Sequence, residues 1–264
     1  MKLPRIEKAK SADAGAETAD TNHDATLNAK IRVLYNEGSA LGRLSHPGII
    51  SLLEQGSDGI LPYLVLEKVE GLSLREARGS LYLKSVLAVL KISSEVCDAL
   101  TAAHRAGVIH GDISPDNIFL TKCGSSPKIK ILDFGIAKFP GQDVKDNTTA
   151  DGVGIGTPKY VAPEKIYSPV TYDHRVDIYS LGMIMYELIT DGLPFKKGLQ
   201  IQALLMAHLG KERIPIREKV PDLPKEVAYV IDRAVQSDPD QRFFDANTMK
   251  VMIDHAISCL QKAA

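Results

Sequence analysis

Residues 108 to 135 read VIHGDISPDNIFLTKCGSSPKIKILDFG. Three short runs of β-forming residues (Val108 to His110, Ile118 to Leu120, Ile129 to Leu132) alternate with polar turns. Two chemically loaded groups interrupt the pattern: His110-Gly111-Asp112-Ile113-Ser114-Pro115-Asp116-Asn117, and Asp133-Phe134-Gly135. Each alone is a weak signal. An Asp-x-x-Pro-x-Asn string has ordinary turn composition, and an Asp at a strand end is an ordinary cap.

Upstream, residues 11 to 26 hold no large apolar side chain and read as a solvated, mobile loop. Leu27, Ile31, Leu34, Leu41 and Leu44 recur at helical spacing, so residues 25 to 45 are expected to form an amphipathic helix ended by His46-Pro47. Gly38 and Gly42 weaken it by roughly 1 kcal/mol each. Ile49 to Leu53 and Tyr63 to Leu66, separated by Gly56 to Gly59, read as a β-hairpin. Residues 83 to 106 form a long, largely apolar helix closed by Gly107.

Downstream, residues 140 to 158 are rich in Gly, Asp and Thr, and a loop of that length is uncommon unless functional. Residues 176 to 190 are apolar nearly all round and predict a buried helix. Two or three further helices are expected over 198 to 262. Strands with one helix, followed mostly by helices, make an α+β arrangement in two lobes.

The 264 residues suffice for one large domain or two packed lobes. A formal net charge of -1 supplies no general field for nucleic acid or an anionic membrane. Cys97, Cys123 and Cys259 are scattered, without a C-x-x-C pair, which argues against a zinc site or disulfide framework and fits a reducing cytoplasm. No apolar run reaches membrane-spanning length.

The specific feature is a set of motifs in order. After the two groups above come Gly156-Thr157-Pro158-Lys159-Tyr160-Val161-Ala162-Pro163-Glu164, then Asp177 inside the apolar helix, then Arg242 in Pro239-Asp240-Gln241-Arg242-Phe243. Together these resemble the protein-kinase signature set, from about residue 27 to about residue 258. The resemblance implies a two-lobed kinase-like fold: a small, partly β lobe over 1 to 66, expected to be truncated, a hinge over 67 to 71, and a helical large lobe over 72 to 264. Gly156-Thr157-Pro158 is similar to Ser/Thr rather than Tyr kinases, and the style of the motifs to bacterial eukaryotic-like kinases. The implied cofactors are ATP and magnesium. The implied partner is a protein substrate offering Ser or Thr, with room for a regulatory protein.

The resemblance also assigns roles. Asp112 stands where the family's catalytic Asp accepts the substrate hydroxyl's proton, with Asn117 and Asp133 where magnesium is held. His110 and Phe134 match a packed stack between the lobes that includes the position of Leu41. Asp177 matches a carboxylate that binds the backbone of the catalytic loop, and Glu164 with Arg242 a buried ion pair. Glu37 stands where the family's helix Glu pairs with a phosphate-gripping lysine. Lys2 is the first choice for that lysine, with Lys8 and Lys10 as rivals. Leu66 would be the gatekeeper, Glu67 and Val69 would offer backbone groups to adenine, and Phe119 would floor the base. Thr148 and Thr149 are the natural phosphosites of the activation loop.

Three departures stand out. No glycine-rich loop precedes Lys2, and Gly152-Val153-Gly154-Ile155-Gly156 resembles one but comes after Asp133. Ser114 replaces the usual Lys, and Gly111 the usual Arg before the catalytic Asp. They leave two rivals to a Ser/Thr kinase: a pseudokinase acting as a binding module, and a small-molecule phosphotransferase, whose catalytic loop also opens with His-Gly-Asp. The second lacks the Gly-Thr-Pro to Ala-Pro-Glu segment found here.

Overall fold

A computed structural model describes residues 31–59, 61–80, 82–121, 128–134, 157–168 and 171–263. Helix α1 covers 31–41 of the described chain. It stops short of the expected residue 45. The amides of Arg43 and Leu44 bond the carbonyls of Ala40 and Leu41 at 3.1 and 3.0 Å, a tightened last turn that closes the helix before His46. Strands β1 (Leu52–Asp58) and β2 (Leu61–Leu66) form the antiparallel hairpin. Gly38 explains itself here. A Cβ on it would lie 2.8 Å from Gln55 Oε1 and 2.9 Å from Leu64 Cδ2, so the glycine lets α1 lie directly on the hairpin. Its helix-propensity penalty is offset by that close packing.

Residues 67–70 run without regular structure into β3 (Gly71–Ser73). Strand β3 starts a second antiparallel sheet, ordered β3, β4 (Ile118–Thr121), β5 (Lys128–Ile131). Ile118, Ile129 and Ile131 are buried while Lys128 is exposed, the period-two alternation of a strand. Ile49 bridges Ile131 in parallel, which ties the chain leading to β1 onto this sheet. Between β3 and β4 lie two helices, α2 (Leu74–Ala77) and α3 (Val86–Arg105). Helix α2 is opened by a capping box in which Ser73 and Glu76 exchange side-chain and backbone bonds.

Helix α3 buries Leu90, Ile92, Val96, Cys97, Leu100 and Ala103. Fully burying a Leu, Ile or Val side chain is worth roughly 1.5–3 kcal/mol. Gly107, at φ 72°, ends the helix in a left-handed turn as its sequence position predicts. Further helices are α4 (Pro163–Tyr167), α5 (Arg175–Thr190), α6 (Ile201–Leu209), α7 (Ile216–Lys219), α8 (Lys225–Ala234) and α9 (Ala246–Ala263). The region after 198 thus holds four helices plus a 3₁₀ turn at Pro239–Gln241, rather than two or three. Pro215 and Pro224 each sit immediately before a helix, so the stretch breaks into a short piece and a longer one.

Helix α5 is buried from Val176 to Glu187, as its all-round apolarity requires. Helix α3 packs on it and on α9, and α8 packs against α5 and α9. At the α5–α8 crossing a Cβ on Gly182 would come within 2.6 Å of the Ala234 Cβ, so only glycine allows this separation. The expected loop over 140 to 158 falls mostly outside the described residues, as do the stretch 11 to 26, Lys2, Lys8, Lys10, Cys123, Thr148, Thr149 and the glycines 152 to 156.

Candidate active site

The core of the candidate site is the loop from His110 to Asn117, held between α5 and β5. Asp177 of α5 is fully buried and accepts the amides of His110 and Gly111 at 3.0 and 2.8 Å. Its other contact is His104 Nε2, at 2.8 Å. Burial alone would push the carboxyl up. The His104 hydrogen bond and charge, with the Gly111 amide, outweigh it, so Asp177 stays below the usual carboxylate range. A buried carboxylate with this many donors is an anchor for backbone.

His110 links the loop to β5. Its Nε2 donates to the Leu132 carbonyl at 3.0 Å and its Nδ1 accepts the Asp112 amide at 3.2 Å. These partners fix the neutral tautomer with the proton on Nε2. The Phe134 ring, also buried, lies 4.6 Å from the imidazole centroid at 55°. Leu41 shares the same buried core. The structure therefore gives His110 and Phe134 packing contacts, as the sequence reading expected.

Short bonds join Asp112 to Asn117, and Asn117 to Leu132, the residue before Asp133. Asn117 Nδ2 donates to the Asp112 carbonyl at 2.9 Å, and the Asn117 carbonyl accepts the Leu132 amide at 2.8 Å. Asp112 Oδ1 accepts the Thr157 amide at 2.8 Å, which ties the Gly-Thr-Pro segment to this carboxylate. Asp133 has φ 64°, a left-handed conformation uncommon outside glycine. Such backbone persists where surrounding contacts dictate it, and it clusters at functional sites. With Nδ2 engaged, Asn117 has its amide oxygen to offer. That oxygen and the Asp133 carboxylate are hard ligands of the kind magnesium takes, alongside waters and phosphate oxygens. The donor chemistry fits the implied ion.

In the stretch 67–71, expected to be a hinge, the Glu67 amide donates to the Ser51 carbonyl at 3.0 Å, so its own carbonyl is the backbone group it has to present. Its carboxylate accepts the Ser51 amide at 2.8 Å and pairs with Lys130. Phe119 pairs in register with Ser73 on one side and Lys130 on the other. Lys130 thus joins the strand beside Phe119 to Glu67. Val69 is partly buried against the core. Glu37 is only 2% exposed, an unusual depth for a helix-face Glu. Lys2 lies outside the described residues, so the structure does not place it against Glu37.

Several participants were not singled out from sequence. His104, six residues before His110, braces Asp177. Arg75 joins Asp116 at 2.6 Å, which ties α2 to the loop. Glu187 of α5 collects Arg78 at 2.8 Å and the Tyr160 hydroxyl at 2.5 Å. Lys165, the residue after Ala-Pro-Glu, reaches Gly111. A charged residue beside a recognised motif was the available signal for Lys165. The Arg75–Asp116 pair spans 41 residues and the Arg78–Glu187 pair 109, which no local pattern announces.

Comparison with known proteins agrees with this geometry. The protein kinase domain model matches residues 9–255, which include every described residue of the site and begin after Lys2. The chain is 37% identical over 215 residues to the serine/threonine-protein kinase Pkn1 of Myxococcus xanthus, covering 81% of this chain and 30% of that protein. It is 30% identical over 236 residues to PknB of Mycolicibacterium smegmatis (88% and 36%) and 31% identical over 232 residues to PrkC of Bacillus subtilis (87% and 34%). The chain spans about a third of the length of these curated relatives. Among the described residues, no helix is long and apolar enough to cross a membrane. With a family match across nearly its whole length, the chain belongs to the protein kinase domain family.

Proposed function

We propose that this domain transfers the γ-phosphate of ATP to Ser or Thr hydroxyls of protein substrates. The observation that carries the reading is the restraint on Asp112. Its backbone neighbours are fixed by Asp177, and one carboxylate oxygen is fixed by the Thr157 amide. Oδ2 is then the oxygen to accept the acceptor's proton. Positioned general bases contribute roughly 10²–10⁴-fold. Asn117 and Asp133 would hold magnesium, which neutralises charge on the phosphates when bound. The carbonyl of Glu67 and the backbone of Val69 would meet adenine, with Phe119 beneath it. Glu37 would orient the phosphate lysine, for which Lys2 is proposed.

The Ser/Thr kinases named above support the acceptor class. Cys97 and Cys259 are free thiols, which suits a reducing compartment, so we place the domain in the cytoplasm. A regulatory protein partner is part of the same proposal.

The test is radiolabelled phosphate transfer to a generic Ser/Thr acceptor, wild type against Asp112→Asn. A hundredfold or larger loss with nearly unchanged nucleotide affinity is expected. Equal activity of the two proteins would remove Asp112 from the base role. No transfer by wild type, with ATP still bound, would favour the pseudokinase.

A further inference from the structure

Lys165 occupies a position that its charge makes costly. The residue is 2% exposed, and a buried ammonium is tolerated only where partners compensate for lost water. Its Nζ donates to the Gly111 carbonyl at 2.5 Å and lies 5.7 Å from the centroid of the Tyr172 ring. Lys165 belongs to α4, the helix that follows the Gly-Thr-Pro segment, whereas Gly111 immediately precedes Asp112.

Gly111 is bound at both of its backbone groups. Its amide goes to the buried Asp177 anion of α5 and its carbonyl to the buried Lys165 cation of α4. Its φ is 75°, a conformation strained for most L side chains and open to glycine. That turn of the backbone sends the carbonyl to α4 while leaving the amide on α5. The glycine therefore has a local physical reason: it allows the peptide before Asp112 to be gripped from opposite sides.

We infer that Lys165 is a positioning residue for Asp112, linking the segment after the activation loop to the catalytic loop through the Gly111 carbonyl. The link is permanent, unlike a contact made through an added phosphate. Together with the Thr157 amide on Asp112 Oδ1, it fixes the catalytic carboxylate through its backbone and its side chain at once. The consequence for catalysis rests on the kinase reading above. The clamp itself does not.

The experiment compares wild type with Lys165→Met, Lys165→Arg and Lys165→Gln. Three quantities are read: steady-state kcat with KM for ATP, the thermal midpoint, and amide hydrogen exchange of the peptide covering 108–117. Lys165→Met should lower kcat at least tenfold with KM for ATP within about twofold. Its 108–117 amides should exchange at least tenfold faster, while the midpoint falls by a few degrees because the buried Gly111 carbonyl loses its donor. Arg and Gln keep a donor and should recover much of the loss. A Met variant within twofold of wild type in kcat, unchanged exchange, or Arg and Gln variants no better than Met would each overturn the inference. If Met does not fold, exchange in Gln decides: protection within threefold of wild type supports the clamp, and tenfold loss overturns it. Should wild type fail to transfer phosphate, the kinase reading falls, and exchange alone still judges the clamp.

Discussion

Arg242 donates to both carboxylate oxygens of Glu164, each at 2.7 Å, across 78 residues of sequence. The guanidinium also reaches the carbonyls of Arg175, Gln236 and Ser237, and lies over the Tyr179 ring at 4.8 Å. Both partners are buried, so removing one leaves an uncompensated charge. Arg242→Met should therefore cost about 3–5 kcal/mol in denaturant unfolding. Adding Glu164→Leu should restore part of that loss, because the stranded anion is gone. A single variant within 1 kcal/mol of wild type would mean that water reaches Glu164 and the pair is superficial.

Magnesium should strengthen ATP binding through Asp133. Calorimetric titration of wild type with and without chelator is expected to show at least a tenfold dependence on the ion. Asp133→Asn should flatten that dependence and leave adenosine binding, proposed above for Glu67 and Val69, nearly unchanged. Equal ATP affinity of wild type in magnesium and in chelator would point to a binding module without metal chemistry.

His208 makes stability fall with acid. It is fully buried in α6, bonds the Tyr179 hydroxyl at 2.8 Å through Nδ1 and lies edge-on to Phe195. Burial, helped by the positive charge of Arg213, pushes the imidazole down to about 3 from its ordinary 6.5. The folded form thus resists a proton that the unfolded chain accepts. The stabilisation is complete above about pH 6.5 and is lost as pH falls from there toward 3. Each pH unit well inside that window costs about 1.4 kcal/mol, so pH 5 should lie about 2 kcal/mol below pH 7 from this group. In His208→Gln this part of the slope should vanish. An unchanged slope in the variant would assign the acid sensitivity to the carboxylates, Asp177 among them.

The division between legible and illegible follows range. The hairpin, α3 with its Gly107 stop, and the buried α5 came from periodicity and turn residues, which act over a few positions. The motifs proposed for the site stood out because each is a contiguous string, and Asp112, Asn117 and Leu132, which precedes Asp133, lie on bonded backbone. What escaped was set by tertiary packing. Gly38 read as a weakness in a helix, yet it is where the hairpin touches α1. Gly111 read as a lost side chain, yet its backbone receives Lys165. The end of α1 and the splitting of the chain after 198 were misjudged because helix ends depend on local bonds that composition does not fix.

The last prediction concerns activation. Thr148 and Thr149, the expected phosphosites, lie outside the described residues, but the receiving end of any phosphate signal is described. In kinases that use such a signal, the phosphate pairs with an Arg before the catalytic Asp, and the charge-assisted contact orders the loop. Gly111 offers no side chain for that contact. Its place is taken by a contact that needs no modification, Lys165 to the Gly111 carbonyl, backed by the Thr157 amide on Asp112. Turnover should then be insensitive to the state of the two threonines. The Thr148→Ala, Thr149→Ala double variant should stay within about twofold of wild type, a barrier change under ~0.5 kcal/mol. The measurement is steady-state kinetics on a generic acceptor, for enzyme pre-incubated with ATP, for phosphatase-treated enzyme and for the double variant. A tenfold drop in either of the last two would mean that another cation receives the phosphate. In the same experiment, Lys165→Met should lower the phosphatase-treated and ATP-incubated samples alike, because the contact it removes is present in both.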